Sequence, residues 1–270
     1  MVASDTAFTG SIPQLYDRFM VPMLFEPYAR DLARRILRLG PRDVLETAAG
    51  TGVLTGALAS ALPEATSLTA TDLNEQMLAQ ARPRLTGKAR VTWQQADALA
   101  LPFADASFDL VACQFGAMFF PDKVKGYSEA RRVLRPGGRF FFSVWDKIEE
   151  NDFTNVLQQT LDQIFPNEPP QFLSRTPHGY HDPDRIRADL AAAGLSDIAI
   201  ETVAHRSRVS SPHDPAIAFC QGTPVRAEIE ARGAPGLEAV TQRVAEALAS
   251  RFGNGAIEGK IQAFVISAVA

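Results

Sequence analysis

At 270 residues, 46% apolar and 21% charged, the chain has the length and apolar content for one large α/β domain, or for a core domain with a smaller cap. Its net charge of −4 and the lack of a long basic run give no electrostatic footing for nucleic acid, and Arg34-Arg35 and Arg131-Arg132 read as solvated faces of helices. Cys113 and Cys220 are too few for a disulfide framework and fit buried thiols in the cytoplasm, the first ten residues lack the charged and apolar regions of a signal peptide, and no apolar run approaches the roughly 20 residues of a bilayer span.

In chain order, residues 10–40 read as two helices interrupted by Pro22 and Pro27. A first strand, "DVLET" (43–47), leads through small residues into a helix over 52–62. "SLTATD" (67–72) is the second strand, followed by a helix over 74–85 with Asn74 as its N-cap. "RVTWQQ" (90–95) is the third strand and "FDLVACQF" (108–115) the fourth, and a helix over 123–134 follows. "LRPGG" (134–138) ends that helix and turns into the fifth strand, "RFFFSVW" (139–145). Residues 151–194 give two helices joined by the proline-rich "FPNEPPQFLSRTPHGYHDP", a connection long enough to suggest a functional loop. "DIAIETVAH" (197–205) is a strand, 213–252 is mostly helical, and "KIQAFVISAVA" (260–270) closes the series as a seventh strand.

Strands that are continuously apolar are buried on both faces, and helices between them imply a mostly parallel, doubly wound α/β sheet with helices on both sides. The expected division is an N-terminal helical lid (1–40), a cofactor-binding core (41–150), and a remainder (151–270) that supplies the last two strands and substrate-side helical insertions.

The turn "ETAAGTG" (46–52) carries the first functional signal. Small residues after a strand let a ligand approach the backbone, and the helix that follows offers free N–H groups. Asp72 ends the second strand 20 residues after Gly52, where a carboxylate can bind ribose hydroxyls. The alternative is that Asp72 only caps the helix starting near Asn74, and the two roles are compatible. A nicotinamide dinucleotide remains an alternative, disfavoured because the third glycine of G-x-G-x-x-G is displaced to Gly56.

"VLETAAGTG", "TATDLNEQML", "QQADALALPFADASFDLVACQFGAMFF" and "RVLRPGGRFFFSVW" occur in order, and together they resemble class I S-adenosylmethionine-dependent methyltransferases of the small-molecule, ubiquinone/menaquinone-biosynthesis-like branch. The resemblance covers about residues 12–205 and implies a Rossmann-like seven-stranded fold, S-adenosyl-L-methionine as cofactor and a small-molecule methyl acceptor. The family's first loop glycine is Ala48 here. By resemblance, Glu46 anchors the loop and faces the methionine ammonium. Ala48, Gly50 and Gly52 lie against the amino-acid end, and Asp72 binds the ribose diol. Leu73 and Met77 flank the adenine, Asp97 accepts from its amino group with Ala98 beside it, and Gln114 lies under the methionine moiety.

Methyl transfer is an in-line displacement, so nucleophile, methyl carbon and sulfur must be aligned and water excluded, and a general base serves where the acceptor carries a proton to be lost. "TPHGYHDP" offers His178, Tyr180 and His181 as candidate catalytic groups, with helix capping near Pro183 as the alternative. His-x-x-His has no supporting ligand cluster, so no metal is expected. The fourth strand lacks the Asn/Asp-Pro-Pro-aromatic signature of methyltransferases that act on bases or amides, reading Cys113-Gln114-Phe115-Gly116 instead. The aromatic N-terminal segment, by resemblance, closes over the sulfonium end, with Tyr16 near the cofactor and Phe119 on the acceptor side. A non-catalytic S-adenosylmethionine-binding protein is a third reading. The acceptor and the oligomeric state are not legible, a homodimer being one option.

Overall fold

The computed structural model describes residues 12–85 and 91–270. Arg90, expected as the first residue of the third strand, and the start of the N-terminal helices lie outside the described residues. The elements are α1 (Ile12–Leu15), a π-helix (Tyr16–Phe25), α2 (Glu26–Leu37), β1 (Asp43–Glu46), α3 (Val53–Ala61), β2 (Ser67–Asp72), α4 (Glu75–Ala81), β3 (Val91–Gln95) and β4 (Phe108–Gln114). After these come α5 (Lys123–Val133), β5 (Leu134–Trp145), α6 (Asp152–Ile164), α7 (Phe172–Arg175), α8 (Pro183–Ala192), β6 (Ser196–Val209), α9 (His213–Gln221), α10 (Val225–Ala231), α11 (Leu237–Phe252) and β7 (Ile257–Val269). One seven-stranded sheet runs in the order β3-β2-β1-β4-β5-β7-β6, and β1 through β5 pair in parallel. The mostly parallel, helix-flanked sheet expected from the apolar strands is therefore present.

The chain forms two compact units, the first made of residues 26–144, 181–202 and 264–270. Val44 and Leu45 in β1 and Val111, Ala112 and Cys113 in β4 are fully buried, as strands covered on both faces must be. Tyr127 of α5 packs its ring at a tilt on the stacked Phe140 and Phe142, with ring centroids 4.9–5.7 Å apart. α2 buries Tyr28, Ala29, Leu32, Ala33 and Ile36 on one stripe and packs on α3, the pattern of an ordinary covering helix. From β1 the chain winds outward through β2 and β3, then returns to β4 on the other side of β1. The carboxyl end of β1 is thus the topological switch point, where open α/β sheets bind ligands.

The second unit comprises the described residues up to Phe25 together with 145–180 and 203–263. α11 packs on α6 and α9, and α9 packs on the π-helix. The proline-rich connection contains the short α7, and it is tied down. Glu228 of α10 accepts the N–H groups of Gln171 and Phe172 at 2.7 and 3.2 Å and pairs with Arg175 at 2.8 Å, while Arg232 donates to the Pro169 carbonyl at 3.2 Å.

Two expectations change in detail. Pro22 lies inside the π-helix, and Pro27 is the second residue of α2, which continues directly from the π-helix. β5 begins at Leu134, pairs once with Phe108, and resumes pairing at Arg139 with Leu110. "RPGG" is therefore a bulge within the strand, with Gly137 at φ +78. Among the described residues no helix is long and apolar enough to cross a membrane, and no cluster of three or more His, Cys, Asp or Glu could hold a metal ion.

Candidate functional site

The first unit gathers every cofactor-side residue named above except Tyr16. β1 ends on Glu46, which is 1% exposed and accepts a 2.6 Å hydrogen bond from the Thr55 hydroxyl on α3. The turn that follows is held by backbone bonds from Thr47 N–H to Ala112 O, Ala49 N–H to Thr71 O, and Gly52 N–H to Ala49 O, each 2.9 Å. It passes through left-handed backbone at Ala48 (φ 53), Gly50 (φ 57) and Gly52 (φ 81). The β4 end carries a second non-glycine residue of this kind, Phe115 at φ 53. Ala106 (φ 52) and Asp197 (φ 46) share this conformation outside the turn.

The glycines divide the work. A Cβ on Gly50 would meet nothing within 4 Å, so its side of the turn is open. A Cβ on Gly52 would stand 3.0 Å from Ala81 Cβ and 3.2 Å from Trp93 Cη2, so Gly52 lets α4 and β3 pack closely. Gly116, after β4, is a third essential glycine, because a Cβ there would lie 2.4 Å from the Cβ of Ala48 and 2.9 Å from the Cys113 sulfur. Residue composition alone singles out neither Gly116 nor Thr55; a polar residue in the first turn of an otherwise apolar helix is the one signal for Thr55.

Asp72 closes the turn from the other side. Its Oδ2 accepts the Gly50 N–H and its Oδ1 the Asn74 N–H, both at 2.8 Å. Asn74 in turn caps α4 by accepting from the Gln76 N–H, so the capping task falls to Asn74, which Asp72 holds in place. Leu73 beside them is 60% exposed, Met77 is buried, and Gln95 donates to the Leu73 carbonyl at 2.8 Å. Asp97 is exposed and folds its turn by accepting the Leu99 N–H at 2.8 Å, with Ala98 half-buried next to it. Gln114 ends β4, half-buried.

Electrostatically the site is a pair of buried carboxyl groups whose ionisation burial opposes. Burial pushes the Glu46 carboxyl up to about 8, against the pull of the Thr55 bond, and the nearby Asp72 adds to the rise. Burial also raises Asp72, opposed by the Asn74 and Gly50 N–H groups. Neither forms an ion pair with a described residue. The Thr51 hydroxyl in the turn is buried and has no hydrogen-bond partner among the described residues. Burial holds the Cys113 thiol at about 12, which removes it as a nucleophile. Two carboxylates, an open glycine and an orphaned hydroxyl at a switch point fit a ligand with cationic and hydroxyl groups.

The other candidates are placed elsewhere in the chain's organisation. Tyr16, His178 and Tyr180 belong to the second unit, while His181 is half-buried at the start of a segment of the first. Within the second unit a row of rings links two of them. Tyr16 stacks on Phe25 at 5.2 Å, Phe25 meets Trp145 at 6.0 Å, and Trp145 meets the His178 ring at 6.1 Å. His178 and Tyr180 are buried, 5% and 3% exposed. Asp182 caps α8 by accepting the Asp184 N–H at 3.0 Å, the capping alternative noted for this segment.

A family profile described as a methyltransferase domain matches residues 44–138, which span β1 to the start of β5. A demethylmenaquinone methyltransferase of Deinococcus radiodurans is 40% identical over 140 residues, 52% of this chain and 58% of that protein. The demethylmenaquinone methyltransferase of Thermus thermophilus is 33% identical over 178 residues, 62% of this chain and 79% of the relative. The chain belongs to the class I S-adenosylmethionine-dependent methyltransferases of the ubiquinone/menaquinone type. The cofactor of that family is S-adenosylmethionine. Among solved structures, a Haemonchus contortus phosphoethanolamine N-methyltransferase is 19% identical with a TM-score of 0.62, covering 100% of this chain and 61% of that one, a likeness of fold alone. The match covers little more than half the length of the Deinococcus relative.

Proposed function

We propose that this methyltransferase transfers the methyl group of S-adenosylmethionine to a small-molecule acceptor, with a quinol-type ring, the class named for its relatives, as the first candidate. The observation that carries this reading is the convergence of the buried Glu46 and Asp72 carboxylates on the open turn at Gly50. When bound, the cofactor supplies an electrophilic methyl group on a sulfonium sulfur. Glu46, with one oxygen held by Thr55, would face the ammonium group. Asp72 would receive the ribose hydroxyls while keeping its bonds to Gly50 and Asn74. Leu73 and Met77 would sandwich the adenine, Asp97 would accept from its amino group beside Ala98, and Ala48, Gly52 and Gln114 would line the amino-acid end.

On the acceptor side, His178 would take the acceptor proton, with Tyr180, His181 and Phe119 as recognition groups. Tyr16 and the π-helix would form the moving part of the N-terminal lid. The nicotinamide reading loses support because the family is a methyltransferase family and because Gly52 serves packing. The acidic net charge and the two buried free cysteines support a cytoplasmic enzyme acting on small molecules rather than nucleic acid.

Calorimetry with S-adenosylmethionine, followed by transfer of a labelled methyl group to a panel of naphthoquinols, phenols and small acids, tests the proposal. Binding with transfer to at least one acceptor is expected. Binding without any transfer points to the non-catalytic reading, and no binding overturns both.

A further inference from the structure

His178 is held far more tightly than a loop histidine needs to be. Its Nδ1 lies 2.7 Å from the carbonyl oxygen of Asp146. A peptide carbonyl has no proton to give, so Nδ1 must be the donor. In the neutral ring the basic lone pair then belongs to Nε2.

The carbonyl is itself fixed by a polar clamp between the end of β5 and the middle of β7. The Asp146 N–H donates to the Gln262 carbonyl at 3.1 Å, and Gln262 Nε2 donates back to Asp146 Oδ2 at 2.7 Å. Asp146 Oδ1 accepts the Lys147 N–H at 2.7 Å. Asn151, 1% exposed, accepts the Gln262 N–H at 3.0 Å and donates to the carbonyls of Gln262 and Lys147, both at 3.2 Å. The backbone N–H of His178 donates to the Leu173 carbonyl at 2.9 Å, and the Trp145 and His178 ring centroids lie 6.1 Å apart. Position 179 must be glycine, since a Cβ there would stand 2.1 Å from the Arg175 carbonyl oxygen.

We infer that Asp146, Gln262 and Asn151 are positioning residues that lock His178 as the Nδ1–H tautomer and so present Nε2 as its basic nitrogen. This rests on the reading of His178 as the acceptor's base, and it adds the means by which the chain makes the ring a base of one defined face. A histidine buried for packing alone has no use for a clamp that selects a tautomer.

Long-range proton–nitrogen correlation spectra of the ¹⁵N-labelled protein, at a pH where the ring is neutral, read the tautomer directly. The expected spectrum shows His178 protonated on Nδ1 and bare on Nε2. An Nε2–H ring, or a mixture of both forms, overturns the inference whatever the enzyme's activity. Gln262→Met, which keeps the volume and removes the donor, is expected to introduce the second tautomer and to lower kcat with a naphthoquinol about tenfold, with KM for S-adenosylmethionine unchanged. A Gln262→Met spectrum identical to wild type refutes the clamp. If the clamp behaves as expected but His178→Gln keeps full turnover, the general-base reading fails and the tautomer lock survives, so the two failures are distinguishable.

Discussion

Ala48 and Gly116 occupy one space between them: a Cβ added to Gly116 would lie 2.4 Å from the Cβ of Ala48, closer than two carbons can pack. The turn after β1 therefore carries a methyl group at φ 53 only because the turn after β4 carries none. Gly116→Ala is expected to cost about 2–3 kcal/mol by overpacking, and the double variant Ala48→Gly/Gly116→Ala to recover most of it. Denaturant melts of the three proteins check the coupling; additive effects would show that the two positions do not compete.

The protonation of Glu46 sets opposite pH dependences for stability and binding. Its folded carboxyl titrates near 8 against an ordinary 4.5, so between those values the folded state keeps a proton that the unfolded chain has released. Stability of the ligand-free protein should therefore fall as pH rises through this window, by up to about 1.4 kcal/mol per unit from this residue. Glu46→Gln should remove that slope and stabilise the protein by about 2–4 kcal/mol at pH 8. Affinity for S-adenosylmethionine should run the other way in the wild type, weakening as pH drops from 8 to 6, because the protonated carboxyl no longer attracts an ammonium group. Melts and calorimetry across pH 6–8 test both slopes, and a pH-independent affinity removes Glu46 from the ammonium site.

Asp72 has two kinds of partner to lose. Asp72→Ala should weaken cofactor binding by about 1.5–3 kcal/mol, as expected for charge-assisted hydrogen bonds, and should also loosen the turn through Gly50 and α4 through Asn74. Asp72→Asn keeps an acceptor and should retain more stability than binding. Calorimetry beside thermal melts separates the two effects; unchanged affinity in both variants would falsify the ribose assignment.

Gly50 and Gly52 should respond differently to the same substitution. Both sit at positive φ, so valine strains either one. Gly52→Val also drives into Ala81 and Trp93 and should lower the melting temperature sharply, whereas a Cβ at Gly50 meets no described residue within 4 Å, so Gly50→Val should lose cofactor affinity from a protein that still folds. Equal loss of stability with binding intact in Gly50→Val would make the turn a turn and no more.

The residues legible in advance are those whose role is carried by local chemistry. A buried acid at the end of an apolar strand, small residues where strand meets helix, and a second acid at the end of the next strand announce themselves within a few positions. Thr55, Gly116 and Gln262 do not, because each acts on a partner brought to it by the fold: Thr55 across a helix turn onto Glu46, Gly116 from β4 onto Ala48, Gln262 from β7 onto Asp146. The N-terminal segment shows the same limit. Its two prolines read as breaks, yet one fits inside a π-helix and the other in a first helical turn, and Tyr28 lies on an ordinary buried stripe against Phe115 at 5.2 Å. Spacing rules written for 3.6 residues per turn do not anticipate a wider helix.

The chain has two tryptophans, and the structure has given each a different neighbour to watch: Trp93 lies behind Gly52 in one unit, and Trp145 lies against His178 in the other. An indole beside an imidazole loses emission when the ring gains a proton. The protein thus carries its own optical probe of His178, readable without labels. In Trp93→Phe, which leaves Trp145 as the single tryptophan, any loss of emission on acidification that comes from the imidazole should vanish in His178→Gln. A signal that ignores this substitution would mean that Trp145 is blind to the ring it faces.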